Sequence, residues 1–349
     1  MKQREKFFMG FIAFLLLSIF FPSVVQAENT STEEKMGFTV ESIIPDNQVD
    51  TTKTYFYLAM KPNQKQSIQV KLKSLQDTPL TIQVGIHTAV SSSVGAIDYT
   101  NVHPKFDASM KDPISELVKI KDGVKEIPLK GKEEKTITFE ITTPESAFSG
   151  VKLGSLRFVR KNSTEVKQKK SGLTPQYARV IAIMLTEDEE PFNQGAMLHL
   201  KKASLQLANG QKVIAARIQN DQPKVLQELT IQGEIRLKGE KKILYKHKME
   251  KFSVAPNSNF DFNIPIGLNT FKPGTYHFTG KATGDGRTWK WEKEFKVGEA
   301  QAKKVNQSAA YQVVIPQWVP WVALSLTVAL AGLIAYLVRR GEKWKNEGK

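Results

Sequence analysis

The chain has 349 residues, no cysteine and a formal net charge of +15 at pH 7. Exported eukaryotic domains of this size usually carry disulfides, so a cysteine-free chain must build its core on apolar burial alone and points to a bacterium. Such a charge is either a generic lysine-rich soluble surface or an attraction to anionic polymers that salt weakens, and with no nucleic-acid motif present no nucleic-acid partner is expected.

Residues 1–27 read as a cleavable secretory signal. Lys2, Arg4 and Lys6 form a basic head, residues 7–21 an apolar run, and Val25-Gln26-Ala27 a small-residue exit after Pro22. That order predicts cleavage after Ala27, and the run is short for a membrane span.

From residue 36 the dominant period is two. Ser67-Ile68-Gln69-Val70-Lys71-Leu72-Lys73 and Lys135-Thr136-Ile137-Thr138-Phe139-Glu140-Ile141 alternate apolar with polar, which places one set of side chains on a core and the other in water. Further strands are expected over 37–42, 54–60, 80–89, 152–160 and 177–186, with one short helix within 104–120. Residues 36–186 therefore read as one β-sandwich, its last two strands joined by a mobile loop at 161–176 rich in Lys, Ser and Gln. Glu187-Asp188-Glu189-Glu190-Pro191 opens an acidic linker over 187–194.

A second sandwich is expected over 195–298, from seven strands at 198–208, 211–219, 225–237, 242–253, 259–265, 274–283 and 287–296. Asn209-Gly210 and Gly284-Asp285-Gly286 are hairpin chemistry, because such turns require positive φ. Pro273-Gly274-Thr275-Tyr276 precedes the penultimate strand, where immunoglobulin-like sandwiches place a corner tyrosine. The fold class is all-β: two immunoglobulin-like sandwiches in tandem, followed by a single C-terminal transmembrane helix. Residues 299–317 read as a stalk, whose 18 residues up to 316 span at most ~60 Å at ~3.3 Å per residue.

Residues 319–338 carry no charge, about the ~20 positions that cross ~30 Å of hydrocarbon as a helix. The span is expected over 318–338, with Trp318 and Trp321 at its outer edge. Arg339, Arg340, Lys343 and Lys345 lie in the tail, 339–349, and the positive-inside rule puts that tail in the cytoplasm. Removing the +2 of the signal and the +3 of the tail leaves +10 on the predicted outer part.

Chemistry is sparse. His87, His103, His199, His247 and His277 form no close-spaced ligand pair, and no nucleophile elbow, Walker loop or calcium loop is present. No catalysis, metal or cofactor is expected. Tyr55 and Tyr57 share one strand face, so either they pack under a neighbouring loop or they form a stacking platform for a sugar. Trp289 and Trp291 share a face in the second sandwich, where core packing is the better account.

Several stretches, taken in order, resemble a known family. Phe38-Thr39-Val40, Ile44-Pro45-Asp46-Asn47-Gln48, Tyr57-Leu58 and Ile68-Gln69-Val70 resemble the N-terminal domain of WxL-interacting proteins. Phe148-Ser149-Gly150-Val151-Lys152-Leu153-Gly154 resembles that domain's later signature, with Ser155 where a second glycine is usual. Ile218-Gln219-Asn220, Val254-Ala255-Pro256-Asn257-Ser258 and Lys272-Pro273-Gly274-Thr275-Tyr276 resemble the second domain. The resemblance implies a Gram-positive surface protein whose first domain binds peptidoglycan or an anionic wall polymer and whose second binds a host matrix protein. It also implies secreted WxL-domain proteins as partners. A non-catalytic adaptor is the expected function, and an envelope assembly factor or chaperone that delivers WxL proteins to the wall is the alternative. Asn47, Gln48, Tyr55 and Tyr57 are the candidate binding residues.

Overall fold

The computed structural model describes residues 36–161, 177–310, 316 and 318–347. The expected signal at 1–27 and residues 162–176 of the expected loop lie outside the described residues.

The N-terminal part contains β1 (Phe38–Ile43), β2 (Phe56–Ala59), β3 (Lys65–Ser74), β4 (Leu80–Thr88), β5 (Val90–Ser91) and β6 (Ile97–Asp98). After helix α1 (Ile114–Leu117) come β7 (Val118–Ile120), β8 (Glu126–Leu129), β9 (Glu134–Thr142), β10 (Val151–Arg160) and β11 (Ala178–Thr186). One sheet has the order β1-β3-β9-β7 and the other β2-β11-β10-β4-β8, while β5 and β6 form a small separate ribbon. The alternation in β3 and β9 is realised residue by residue: Ile68, Val70 and Leu72 are buried and pair with Phe139, Ile137 and Lys135 across the ladder. Phe139 meets Phe158 edge to face across the core at 6.3 Å. Each such buried ring stabilises by about 1.5–3 kcal/mol.

Sequence alternation alone misses β5 to β8, and the reason is local. β5 and β6 are two residues each, too short to show a period, and β8 carries Pro128 while pairing with β4 alone. Proline is tolerated on such an edge because its missing N–H faces away from the ladder.

The second sandwich is more regular. Its strands are β12 (Leu198–Ala208), β13 (Gln211–Asn220), β14 (Leu226–Leu237), β15 (Ile243–Val254), β16 (Ser258–Pro265), β17 (Gly274–Gly284) and β18 (Arg287–Val297). Sheets β12-β13-β16 and β15-β14-β17-β18 close over a core with Phe252, Phe262, Phe271 and Phe278 fully buried. Asn209 and Gly210 turn β12 into β13 at φ 49° and 76°, and Asp285 and Gly286 turn β17 into β18 at 53° and 66°. Tyr276 is buried, and its hydroxyl donates to the Lys272 carbonyl at 2.7 Å, as the corner tyrosine requires. Trp289 belongs to this core and Trp291 packs partly against it.

Residues beyond β18 depart from the expected extended stalk. Helix α2 (Glu299–Ser308) folds back on the second sandwich, burying Ala302 and Val305 in its core. Asn306 bonds both the N–H and the carbonyl of Phe271, Gln301 donates to the Leu205 carbonyl, and the Ala310 N–H donates to the Gly210 carbonyl. The apolar positions at Ala302 and Val305 are spaced for one helical face, a signal that a reading tuned to period two passes over. Helix α3 (Val319–Glu347) follows, and its segment Val319–Leu337 is long and apolar enough to cross a membrane.

Candidate functional site

The connection between β1 and β2, with the start of β2, brings the four candidate residues together and occupies the side-chain amides of Asn47 and Gln48 internally. Asn47 and Gln66 exchange two amide hydrogen bonds at 2.9 and 2.6 Å, and Asn47 also donates to the Ala59 carbonyl. Gln48 donates to the Tyr55 and Asp50 carbonyls, and its own side-chain oxygen accepts the Tyr57 N–H. Tyr57 is 6% exposed, sits beside Val151, Leu153, Met184 and Val225, and meets Phe192 edge to face. Burial pushes its hydroxyl pKa up. Tyr57 therefore offers no ring face to a sugar, and half-buried Tyr55 packs beside it.

Next to this brace lies a groove of about 720 Å³, between β1 (Val40, Ser42), the 51–55 segment and β11 (Val180, Ala182). It lies where β2 has not yet begun: β2 starts at Phe56, opposite Ile183 in a parallel pair, so no described strand pairs with the first half of β11 on that side. β1 forms one edge of its sheet and borders the same groove.

The other feature is the joint between the sandwiches. Ser91 on the β5–β6 ribbon bonds Ser258 through their hydroxyls, accepts the Ala255 N–H, and donates its own N–H to Ser258. Asp107 accepts Gln219 at 2.7 Å and Asn259 at 2.9 Å while closing its own turn on Ser109. Burial pushes the Asp107 carboxyl up, but the Ser109, Asn259 and Gln219 bonds outweigh it and hold the carboxyl below its usual range. Asp188 is likewise pushed up by burial and then held low by the Gly150 and Glu190 N–H groups and the Thr186 hydroxyl. The acidic stretch after β11 is thus partly spent on fixed donors, and Glu190 pairs with Lys224 at 3.1 Å.

The glycine-containing signature lies at this joint. Gly150 adopts φ +69°, and a Cβ there would stand 2.3 Å from the Pro223 carbonyl oxygen, while the Val151 N–H donates to that same oxygen. A Cβ at Gly154 would meet Ile114 at 2.4 Å. Both glycines permit close approach of a second element. Sequence reasoning gave these residues no structural role; a glycine pair flanking an apolar strand start is the signal it had.

His87 is buried beneath the segment after β6, and burial followed by the Arg157 charge pushes its imidazole pKa down. Among the described residues, no three His, Asp or Glu side chains are grouped to hold a metal ion.

Two β-sandwiches followed by one membrane-length apolar helix define a tandem all-β protein. The chain belongs to the WxL-interacting protein family: residues 38–160 match its peptidoglycan binding domain and residues 168–307 its host binding domain. These are families of binding domains, not enzymes, and together with the apolar helix they fit a membrane-anchored binding protein of the cell surface. The second match starts before β11, although β11 pairs with β10 and β2 of the first sandwich.

No curated protein matches the chain. Among solved structures, the YadV chaperone aligns at 12% identity over 74% of this chain and 100% of its own, with a TM-score of 0.29. A chaperone–tip adhesion subunit complex from Csu pili of Acinetobacter baumannii aligns at 12% identity over 68% and 94%, TM-score 0.30. A PapD-like domain of human CEP192 aligns at 5% over 46% and 92%, TM-score 0.28. Likeness at this level supports no functional argument.

Proposed function

We propose that this protein is a non-catalytic adaptor that holds secreted WxL-domain proteins and peptidoglycan together in the zone between membrane and wall. The observation that carries the reading is the pairing, on one chain, of the two family domains with a single membrane-length helix. In this reading the signal is removed after Ala27, the sandwiches at 36–186 and 195–298 lie outside, and the tail is cytoplasmic. The groove beside β1 is the docking site for a partner's extended segment, because an edge strand offers unpaired main-chain groups to an added strand. Asn47, Gln48 and Tyr55 would serve that site by shaping its wall. Host contact through the second domain runs by way of the wall-bound partner.

Affinity capture of the tagged full chain from solubilised envelope, read by mass spectrometry, tests this. Stoichiometric recovery of a WxL-domain protein that persists in high salt, and its loss in Val180→Asp, is the expected result. Recovery of wall fragments alone, lost as salt rises, would mean that net charge explains the binding and that the partner role is wrong.

A further inference from the structure

The two ends of the second sandwich are distinct surfaces. Strand directions put Asn220, Pro223, Ala255 and Ser258 at the end that meets the first sandwich. The β12–β13 turn, the β14–β15 turn and the loop from β16 to β17 lie at the other. Three contacts tie this far end together: the Lys212 ammonium donates to the Leu268 and Asn269 carbonyls, Phe271 stacks on Tyr245, and Ala310 bonds Gly210.

Three properties of the far end converge. The chain leaves it at Ala310, held by α2, and Trp318 opens the apolar helix eight residues later. Eight fully extended residues cover no more than about 28 Å. The turn at 238–242 and the loop at 267–273 carry Lys238, Lys241, Lys242 and Lys272 against Glu240. Lys238 pairs with Glu294 at 2.8 Å, which leaves Lys241, Lys242 and Lys272 to set the charge of this end. Leu268 is 53% exposed, and Ile243 and Leu244 are exposed with it.

We infer that this end of the second sandwich docks on the outer face of an anionic bilayer, with Leu268 entering the interface and Lys241, Lys242 and Lys272 lying among the lipid phosphates. The inference rests on the reading that α3 spans the membrane with the sandwiches outside. A short tether supplies a high local concentration of surface, so a few lysines and one or two apolar side chains suffice. The locked joint then carries the first sandwich outward, towards the wall.

The test uses the full chain, which has no native cysteine, reconstituted into phosphatidylglycerol or phosphatidylcholine vesicles. These contain nitroxide lipids labelled both at the headgroup, to read Leu268, and deep in the acyl chain, to read Leu330. An environment-sensitive fluorophore is placed on Leu268→Cys, on Thr288→Cys at the opposite end, or on Leu330→Cys within α3. Quenching of the Leu330 and Leu268 labels, with the Thr288 label unaffected, is expected in phosphatidylglycerol. Lys241→Glu combined with Lys242→Glu should release the Leu268 label alone. If the Leu330 label is quenched while Leu268 stays in water, the span stands and the docking is overturned. If Leu330 is not quenched, the spanning reading itself fails. If soluble polyglycerol phosphate protects the lysines while Leu268 stays in water, the end is a polyanion site and the bilayer is the wrong occupant.

Discussion

The second sandwich has one end that is already satisfied and one that is not. At the joint, polar groups are buried and matched: Asn220 and Ser258 are almost inaccessible, and Asn220 bonds the Lys224 and Ala255 carbonyls. At the far end, leucine and isoleucine side chains are left in water beside lysines. Burying polar groups costs free energy unless each finds a partner, so a fully matched polar joint has one geometry and resists sliding. Exposed apolar groups among like charges are held back by nothing except the absence of a partner surface. The contrast teaches that this domain has spent one end on internal architecture and kept the other for binding.

The harshest way to break the contrast is Gly150→Val. It forces a side chain to positive φ against the Pro223 carbonyl, and a loss of about 3 kcal/mol or more is expected. Thermal unfolding with limited proteolysis near residue 223 reads it, and an unchanged melting temperature would show that the joint does not depend on this contact. Asn220→Ala comes next, because it removes the amide's bonds to the Lys224 and Ala255 carbonyls, at a cost of about 1–3 kcal/mol. Among the described residues only the second carbonyl keeps another donor, the Ser258 hydroxyl. Chemical denaturation checks it.

Asp107→Ala removes two bonds between the sandwiches, worth about 1–2 kcal/mol, and hydrogen exchange should quicken around 253–259 while the strand cores stay protected. Acid offers the same test without mutation. Asp107 and Asp188 have lowered folded-state pKa values, so their contribution is full above the ordinary carboxylate range and is lost as pH falls through the folded values. Protection factors at 253–259, corrected for the intrinsic pH dependence of exchange, should be constant from neutral pH down to that range and fall below it. Constant protection throughout would mean that neither carboxylate holds the joint.

The gentlest change to stability is Lys241→Glu with Lys242→Glu. Both side chains are exposed, and surface changes of this kind stay within about 0.5 kcal/mol. If the pair instead lowers the melting point as much as Asn220→Ala, the far end is structural and the comparison collapses.

How much could be read in advance differs between the sandwiches. In the second, each expected strand lies within a residue or so of the observed one, because long alternating runs and Asn-Gly or Asp-Gly turns are local signals. In the first, β5 to β8 escaped, being short or proline-bearing. The docked α2 was missed because its only local signal is the three-residue spacing of Ala302 and Val305, and what that face packs on is decided by β12 and Phe271. Of the candidate residues, Tyr57 lies against Phe192, just beyond the acidic stretch, a contact that the alternation of its strand does not encode. Asn47 and Gln48 were singled out by resemblance alone, and their hydrogen bonds show how that segment is braced.

The sequence by itself determined the all-β class, the period of both sandwiches, the corner tyrosine, the apolar C-terminal helix and the family. All of these rest on patterns within a few residues or on ordered motifs. Only the tertiary structure decided that Ser91 meets Ser258, 167 residues away, that Gly150 makes room for Pro223, and that the chain beyond β18 folds back to leave a short tether. Those contacts depend on which faces come together, and no local periodicity encodes the meeting of two surfaces far apart in sequence.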